Sequence, residues 1–130
     1  LISNVMKALH GGGMMTVCGD DYTTPDGTGV RDFIHVVDLC RAHLLALRAL
    51  KRGICNDVFN LGNGNGFSVL EVIKTTEKVT GRKVPHHIGP RRPGDVETVV
   101  ASSAKAKKVL GWTPVHSLKA ILKSEWERKR

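Results

Sequence analysis

The chain has 130 residues, 41% of them hydrophobic and 25% charged, with a formal net charge of +8. That length supports one modest core, the composition is that of an ordinary globular protein, and no apolar run approaches the roughly 20 residues of a membrane-spanning helix. A basic balance suggests phosphate-bearing partners, but much of the excess falls in Lys105, Lys107, Lys108, Lys119, Lys123, Arg128, Lys129 and Arg130, on the polar faces of two expected helices, where solvation accounts for it.

Residues 1–10 carry Val5 and Leu9 at helical spacing and are expected as a helix, stopped by Gly11, Gly12 and Gly13. With neither an initiating methionine nor a signal-peptide pattern before them, the chain reads as a piece of a longer protein. Residues 14–18 are a short apolar strand, and 19–28 a polar loop with turn chemistry in Thr24, Pro25, Asp26 and Gly27. The apolar residues of 33–37 predict a buried strand or extended entry. Asp38 then caps, or occupies the first turn of, a helix running to about Leu50. Leu39, Ala42, Ala46 and Leu50 form one face of that helix; Leu44, Leu45 and Leu47 widen it, so it is expected to be largely buried. Residues 57–62 form a strand and 63–66 a loop. Ser68 and Glu71 are a capping box opening a helix to about Thr80, ended by Gly81. Strands over 84–88 and 97–101 follow. A helix capped by Ser102 or Ser103 runs through Leu110 to Gly111, and a last helix is capped by Ser117, with Leu118, Ile121, Leu122 and Trp126 in helical register. Strand–loop–helix units in this order point to an α/β layered domain.

Two segments couple arginine to glycine and aspartate. In residues 26–36, Gly27 and Gly29 loosen a turn that leads into the apolar stretch, with Arg31 at the junction. In residues 90–95, Arg92 precedes a Pro93-Gly94 turn and Asp95. A planar guanidinium makes paired charge-assisted bonds to phosphate oxygens, and two of them from separate segments would clamp a pyrophosphate. A lone arginine at a turn is equally a surface ion pair. Asp95 either accepts from ribose hydroxyls, as acidic residues do in other nucleotide sites, or pairs with Arg92.

Other chemistries find little support. Gly62, Gly64 and Gly66 lie between strand and helix, as in a dinucleotide loop, but the last glycine of that fingerprint would fall on Phe67, so a structural turn is the reading. Tyr22 is followed four residues later by Asp26, so there is no YxxxK pair, and no nucleophile elbow is present. Cys18, Cys40 and Cys55 lack CxxC spacing and fit reduced, buried or half-buried thiols, and the six histidines show no metal-binding spacing. Most of the few aromatic residues occupy core-like positions, which leaves no stacking platform for nucleic acid. The chain reads as a binding part without its chemistry.

The run from Gly19-Asp20-Asp21-Tyr22 through Gly27-Thr28-Gly29-Val30-Arg31-Asp32 to Leu39 resembles the signature of the UDP-glucose 4-epimerase family, within the extended short-chain dehydrogenase/reductase superfamily. Phe59-Asn60-Leu61-Gly62, the helix start at Ser68, Arg91-Arg92-Pro93-Gly94-Asp95 and Lys108-Val109-Leu110-Gly111-Trp112 follow in that family's order. The resemblance covers nearly the whole chain. It implies the C-terminal UDP-sugar-binding domain of such an enzyme, together with the last strand and helix of its Rossmann sheet over 57–80. For the parent protein it implies NAD-dependent C4 epimerisation of UDP-glucose and UDP-galactose through a 4-keto intermediate. The NAD loop and catalytic YxxxK would lie in a missing N-terminal Rossmann part, leaving this chain inactive alone. Another nucleotide-sugar epimerase, dehydratase or decarboxylase of the superfamily is the alternative.

Carried over by residue, the resemblance implies that Arg31 and Arg92 bind the UDP phosphates and Asp95 the ribose. Thr16, Val17 and Cys18 would line the uracil slot, chiefly through backbone groups. Val99 would lie beside the sugar, where valine leaves room for an N-acetyl group but offers no hydrogen bond. The expected partners are a UDP-sugar and the N-terminal part, with NAD held mainly by the latter. Neither nucleic acid, membrane nor metal is expected; the location is cytoplasmic and the parent is open to homodimer formation.

Overall fold

In a computed structural model that describes residues 1–54 and 56–128, α1 (Ile2–Leu9) leads to β1 (Met15–Cys18), β2 (Val30–Arg31), α2 (Val36–Lys51), β3 (Phe67–Ser68), α3 (Val69–Thr80), β4 (His86–Gly89), β5 (Thr98–Val99), α4 (Ala104–Leu110) and α5 (Leu118–Arg128). Cys55, Lys129 and Arg130, and the readings placed on them, lie outside the described residues. β1 pairs in parallel with β4. A separate small sheet has the order β3-β2-β5, with β2 antiparallel to β3 and parallel to β5. Among the described residues no helix is long and apolar enough to cross a membrane.

Local sequence accounts for the helix ends where the signal is short-range. The Ser68 Oγ accepts the Glu71 N–H at 3.0 Å while Glu71 Oε2 accepts the Ser68 N–H at 2.8 Å, a reciprocal capping box. Gly81 then ends α3 in the left-handed conformation, at φ 68. α4 departs from expectation at its start. Ser103 stands at the cap position but makes no capping bond, because its hydroxyl donates to the Gly62 carbonyl at 2.6 Å and accepts from the Gly62 N–H at 3.1 Å.

Of the buried strand or extended entry expected over 33–37, no strand forms, while His35 does have extended backbone ahead of the helix. β2 stops at Arg31, and Val36 already belongs to α2. His35 caps that helix, its Nδ1 accepting the Val37 N–H at 3.1 Å. Asp38 sits in the first turn instead and is fully buried. Its carboxylate accepts the N–H groups of Val115 (3.1 Å) and His116 (3.0 Å), and the Trp112 indole donates to its carbonyl at 2.8 Å. The His116 Nδ1 lies 3.0 Å from the same carboxylate, within ion-pair reach but off the line of a good hydrogen bond. Burial pushes the Asp38 carboxyl up. The hydrogen bonds from His116 and Val115 outweigh that and hold it below the usual carboxylate range.

Two apolar clusters result. One joins α1, β1, α3 and α5 through Val5, Met6, Val17, Ile73, Leu122 and Trp126. The other joins α2 and α4 through Ala42, Ala49, Ala106, Leu110 and Trp112, with Phe59 and Leu61 against it. The stretch 57–80 is thus divided: its first residues pack on the second cluster, whereas α3 packs in the first. Residues 57–62 are not a strand, and Val58 is 78% exposed. An extended segment becomes a strand only with a neighbour to pair with, and no described strand lies beside this one. α2 is likewise not largely buried. Its Ala42–Ala49 stripe is covered, but Leu44, Leu47 and Leu50 are more than half exposed. Cys40 on the same helix is exposed, not buried, while Cys18 is half-buried.

Candidate functional site

Arg31 lies in the central strand of the β3-β2-β5 sheet, with Phe67 opposite on one side and Val99 on the other. Successive side chains of an extended backbone point to opposite faces, and Arg31 and Asp32 divide accordingly. Asp32 turns to the 62–64 loop and accepts N–H groups from Asn63 (2.9 Å), Gly64 (3.2 Å) and Ala101 (3.3 Å). Arg31 turns to the other side, donating to the Val30 carbonyl at 2.8 Å.

The turn ahead of Arg31 is fastened by a buried polar cluster. Gly27 has φ 78, and a Cβ there would come within 1.9 Å of the Asp20 carbonyl, so the turn closes only around glycine. The Asp26 carboxylate accepts from the Thr28 N–H (3.0 Å), the Thr28 hydroxyl (2.7 Å) and the Ser68 hydroxyl (2.5 Å). Burial raises the Asp26 carboxyl, but these bonds, Ser68 first, outweigh it and hold it below its ordinary value.

The second arginine segment separates its two basic residues. Arg91 pairs with the Asp21 carboxylate at 2.6 Å, makes a short bond to the Asp21 carbonyl, and stacks 4.1 Å over the Tyr22 ring. Its hydrogen bond to Asp21 raises the guanidinium above, and lowers the carboxyl below, their usual ranges. Arg92 turns the other way. Its Nε lies 3.5 Å from one Asp95 oxygen, and Arg31 Nη2 lies 3.6 Å from the other. Two guanidiniums from distant segments thus meet on one carboxylate. The Arg31 side chain is 31% exposed and that of Arg92 69%, so the first is the more enclosed member of the pair.

These groups border a cavity of about 480 Å³ between β1 and the arginines. Thr16, Val17, Cys18, Arg31, Arg92 and Asp95 all line it. Val99 does not; it stands beside Arg31 in the sheet, half exposed. Asp95 bridges both arginines rather than pairing with Arg92 alone. Tyr22 and Phe33 also line the cavity and were not singled out as site residues. Their partners lie far along the chain: the Arg91 that fixes Tyr22 follows it by 69 residues. A wider hollow of about 570 Å³ between α3 and α5 contains none of the arginines; its Lys74, Lys78 and Lys119 are solvent-exposed.

The loop over 62–66 does not fit the pyrophosphate of a dinucleotide cofactor. A Cβ at Gly62 would come 2.3 Å from Asp32 Oδ2, and one at Gly66 would come 2.3 Å from Val30 Cγ1. The close approach that glycine permits in this loop is therefore taken by the chain's own side chains, not left open for a pyrophosphate. Among the described residues there is no group of His, Cys, Asp and Glu that could hold a metal ion.

Residues 2–124 match the family model described as GDP-mannose 4,6 dehydratase. A UDP-glucose 4-epimerase of Lactobacillus helveticus is 46% identical over 129 residues, covering 98% of this chain and 39% of that protein. A crystal structure of UDP-glucose-4-epimerase from Stenotrophomonas maltophila, with bound NAD and formylated UDP-arabinopyranose, superposes with a TM-score of 0.94 at 42% identity, over 99% of this chain and 39% of that one. The Bifidobacterium longum UDP-glucose 4-epimerase, in complex with NAD+ and UDP, gives a TM-score of 0.85 at 44% identity, over 97% and 38%. The chain therefore spans about two-fifths of the length of the relatives it matches.

Proposed function

Because the chain belongs to the GDP-mannose 4,6 dehydratase family, within the extended short-chain dehydrogenase/reductase superfamily, we propose that it is the UDP-binding part of an NAD-dependent UDP-glucose 4-epimerase. The observation that carries this reading is the meeting of Arg31 and Arg92 on the two oxygens of Asp95, at 3.6 and 3.5 Å, beside a cavity of about 480 Å³. Two cations held by separate elements and pointed at one small space suit a diphosphate, whose charge is spread over several oxygens. On binding, the phosphates would take over the guanidinium bonds and free the Asp95 oxygens to accept from ribose hydroxyls. Among the described residues β1 has a strand partner on one edge only, and Thr16, Val17 and Cys18 line the cavity, so backbone groups of this strand would be available to a uracil ring. Val99, next to Arg31, would stand beside the sugar.

This chain's contribution to the reaction is grip and placement. Binding energy on the nucleotide fixes where the sugar sits, and such uniform binding orients the substrate without itself lowering the chemical step. The NAD loop and catalytic tyrosine would belong to an N-terminal Rossmann part of a cytoplasmic parent protein. The open flank of α2 and the unpaired segment 57–62 support such a neighbour, since both carry exposed apolar side chains.

Calorimetric titration with UDP tests the proposal. The wild-type chain is expected to bind UDP, and Arg92→Ala to weaken binding by more than about tenfold, as loss of a charge-assisted bond to phosphate predicts. Affinity unaffected by Arg92→Ala would reject the clamp. Product analysis of the parent protein with UDP-glucose and UDP-galactose separates this reading from a dehydratase or decarboxylase.

A further inference from the structure

We propose that the Tyr22 hydroxyl is a ligand-contacting group of the arginine cavity, completed by an oxygen of the bound nucleotide; this rests on the nucleotide-binding reading above. Tyr22 is 6% exposed and lines the cavity together with Cys18 and Arg92. Its ring is fixed. The Arg91 guanidinium lies 4.1 Å over the ring centroid and is itself tied to Asp21. At Gly19 a Cβ would come 2.9 Å from the ring's Cε2, so the backbone there lies directly against the ring. The Tyr22 N–H donates to the Gly27 carbonyl at 2.9 Å, and the Tyr22 carbonyl accepts from the Thr24 N–H at 2.8 Å. Every part of the residue is therefore held except its hydroxyl, which is buried without a hydrogen-bond partner among the described residues.

A buried hydroxyl with no partner is unfavourable and uncommon, because it has lost its water without recovering a bond. Phenylalanine would fill the same space without that penalty. Tyr22 lines a cavity that also presents a guanidinium, and a phenol is a competent donor to phosphate or ribose oxygen. A nucleoside diphosphate seated on Arg31 and Arg92 brings such oxygens close to Tyr22. The ring's fixed position then makes the bond specific.

Tyr22→Phe tests this in the otherwise unchanged protein, with UDP as the probe and thermal denaturation alongside. The melting temperature without UDP is expected to stay level or rise, while the Kd for UDP increases about fivefold to tenfold, the size of one hydrogen bond. Wild-type binding with an equal Kd for Tyr22→Phe would overturn the inference and leave the nucleotide reading standing. A lowered melting temperature in Tyr22→Phe without UDP would also overturn it, by revealing an internal partner for the hydroxyl. No UDP binding by folded wild-type protein would remove the nucleotide reading itself, and this inference with it.

Discussion

Around Met6, Ile73 and Leu122 the side chains close over one another on every side, whereas along α2 only the Ala42–Ala49 stripe is covered and Leu44, Leu47 and Leu50 stand half in solvent. Both regions come from the same kind of sequence, an amphipathic helix with a wide apolar face. The difference is in what packs against them. α3 meets α1 and α5 on its apolar face, and β1 with β4 closes the layer. α2 meets α4 on one flank, and no described element lies on the other. The arginine cavity borders the closed region, through β1 and the start of α3. The open flank keeps Leu44, Leu47 and Leu50 about half exposed.

The comparison can be broken most forcefully in the closed region. Leu122→Ala removes a fully buried side chain, and is expected to destabilise by about 2–5 kcal/mol in urea titrations. A loss under about 1 kcal/mol would mean that this cluster is loosely packed.

Asp38 holds the second cluster's start together. Asp38→Asn is expected to destabilise by about 1–3 kcal/mol, because a neutral amide accepts less well from the buried Val115 and His116 N–H groups. Its pH signature follows from the depressed carboxyl. The stabilisation is fully present above the unfolded value of about 3.9 and is lost as pH falls through the lower folded value. Stability measured from pH 5 down to pH 2 should therefore fall less steeply in Asp38→Asn than in the wild type. Parallel curves would show that Asp38 is not a source of the acid slope.

The smallest effect belongs to the open flank. Leu47, 51% exposed, is expected to tolerate Ala with a change within about 0.5 kcal/mol. A loss as large as that of Leu122→Ala would show that this flank is covered in solution.

Much of this contrast lies beyond the reach of sequence, for physical reasons that differ by residue. The Ser68–Glu71 capping box and the Gly81 stop were readable because each depends on atoms within one helical turn. The 57–62 strand was misjudged because strand formation depends on a partner elsewhere, and Val58 has none among the described residues. Asp38 carries a cap-like signature, yet its partners stand at Val115 and His116, and His35 took the capping role. At the candidate site, the basic–glycine–acidic pattern pointed to Arg31, Arg92 and Asp95, which do converge. The polar fastening by Asp26, Thr28 and Ser68, and the unpartnered hydroxyl of Tyr22, emerge only once distant segments are brought together.

The most direct test of the two-arginine clamp is the ratio of affinities for UDP and uridine, measured by calorimetry in the wild type and in the Arg31→Ala/Arg92→Ala double variant. The clamp predicts that the wild type prefers UDP strongly and that the preference collapses in the double variant while uridine binding is retained. An undiminished preference for UDP in the double variant would contradict it.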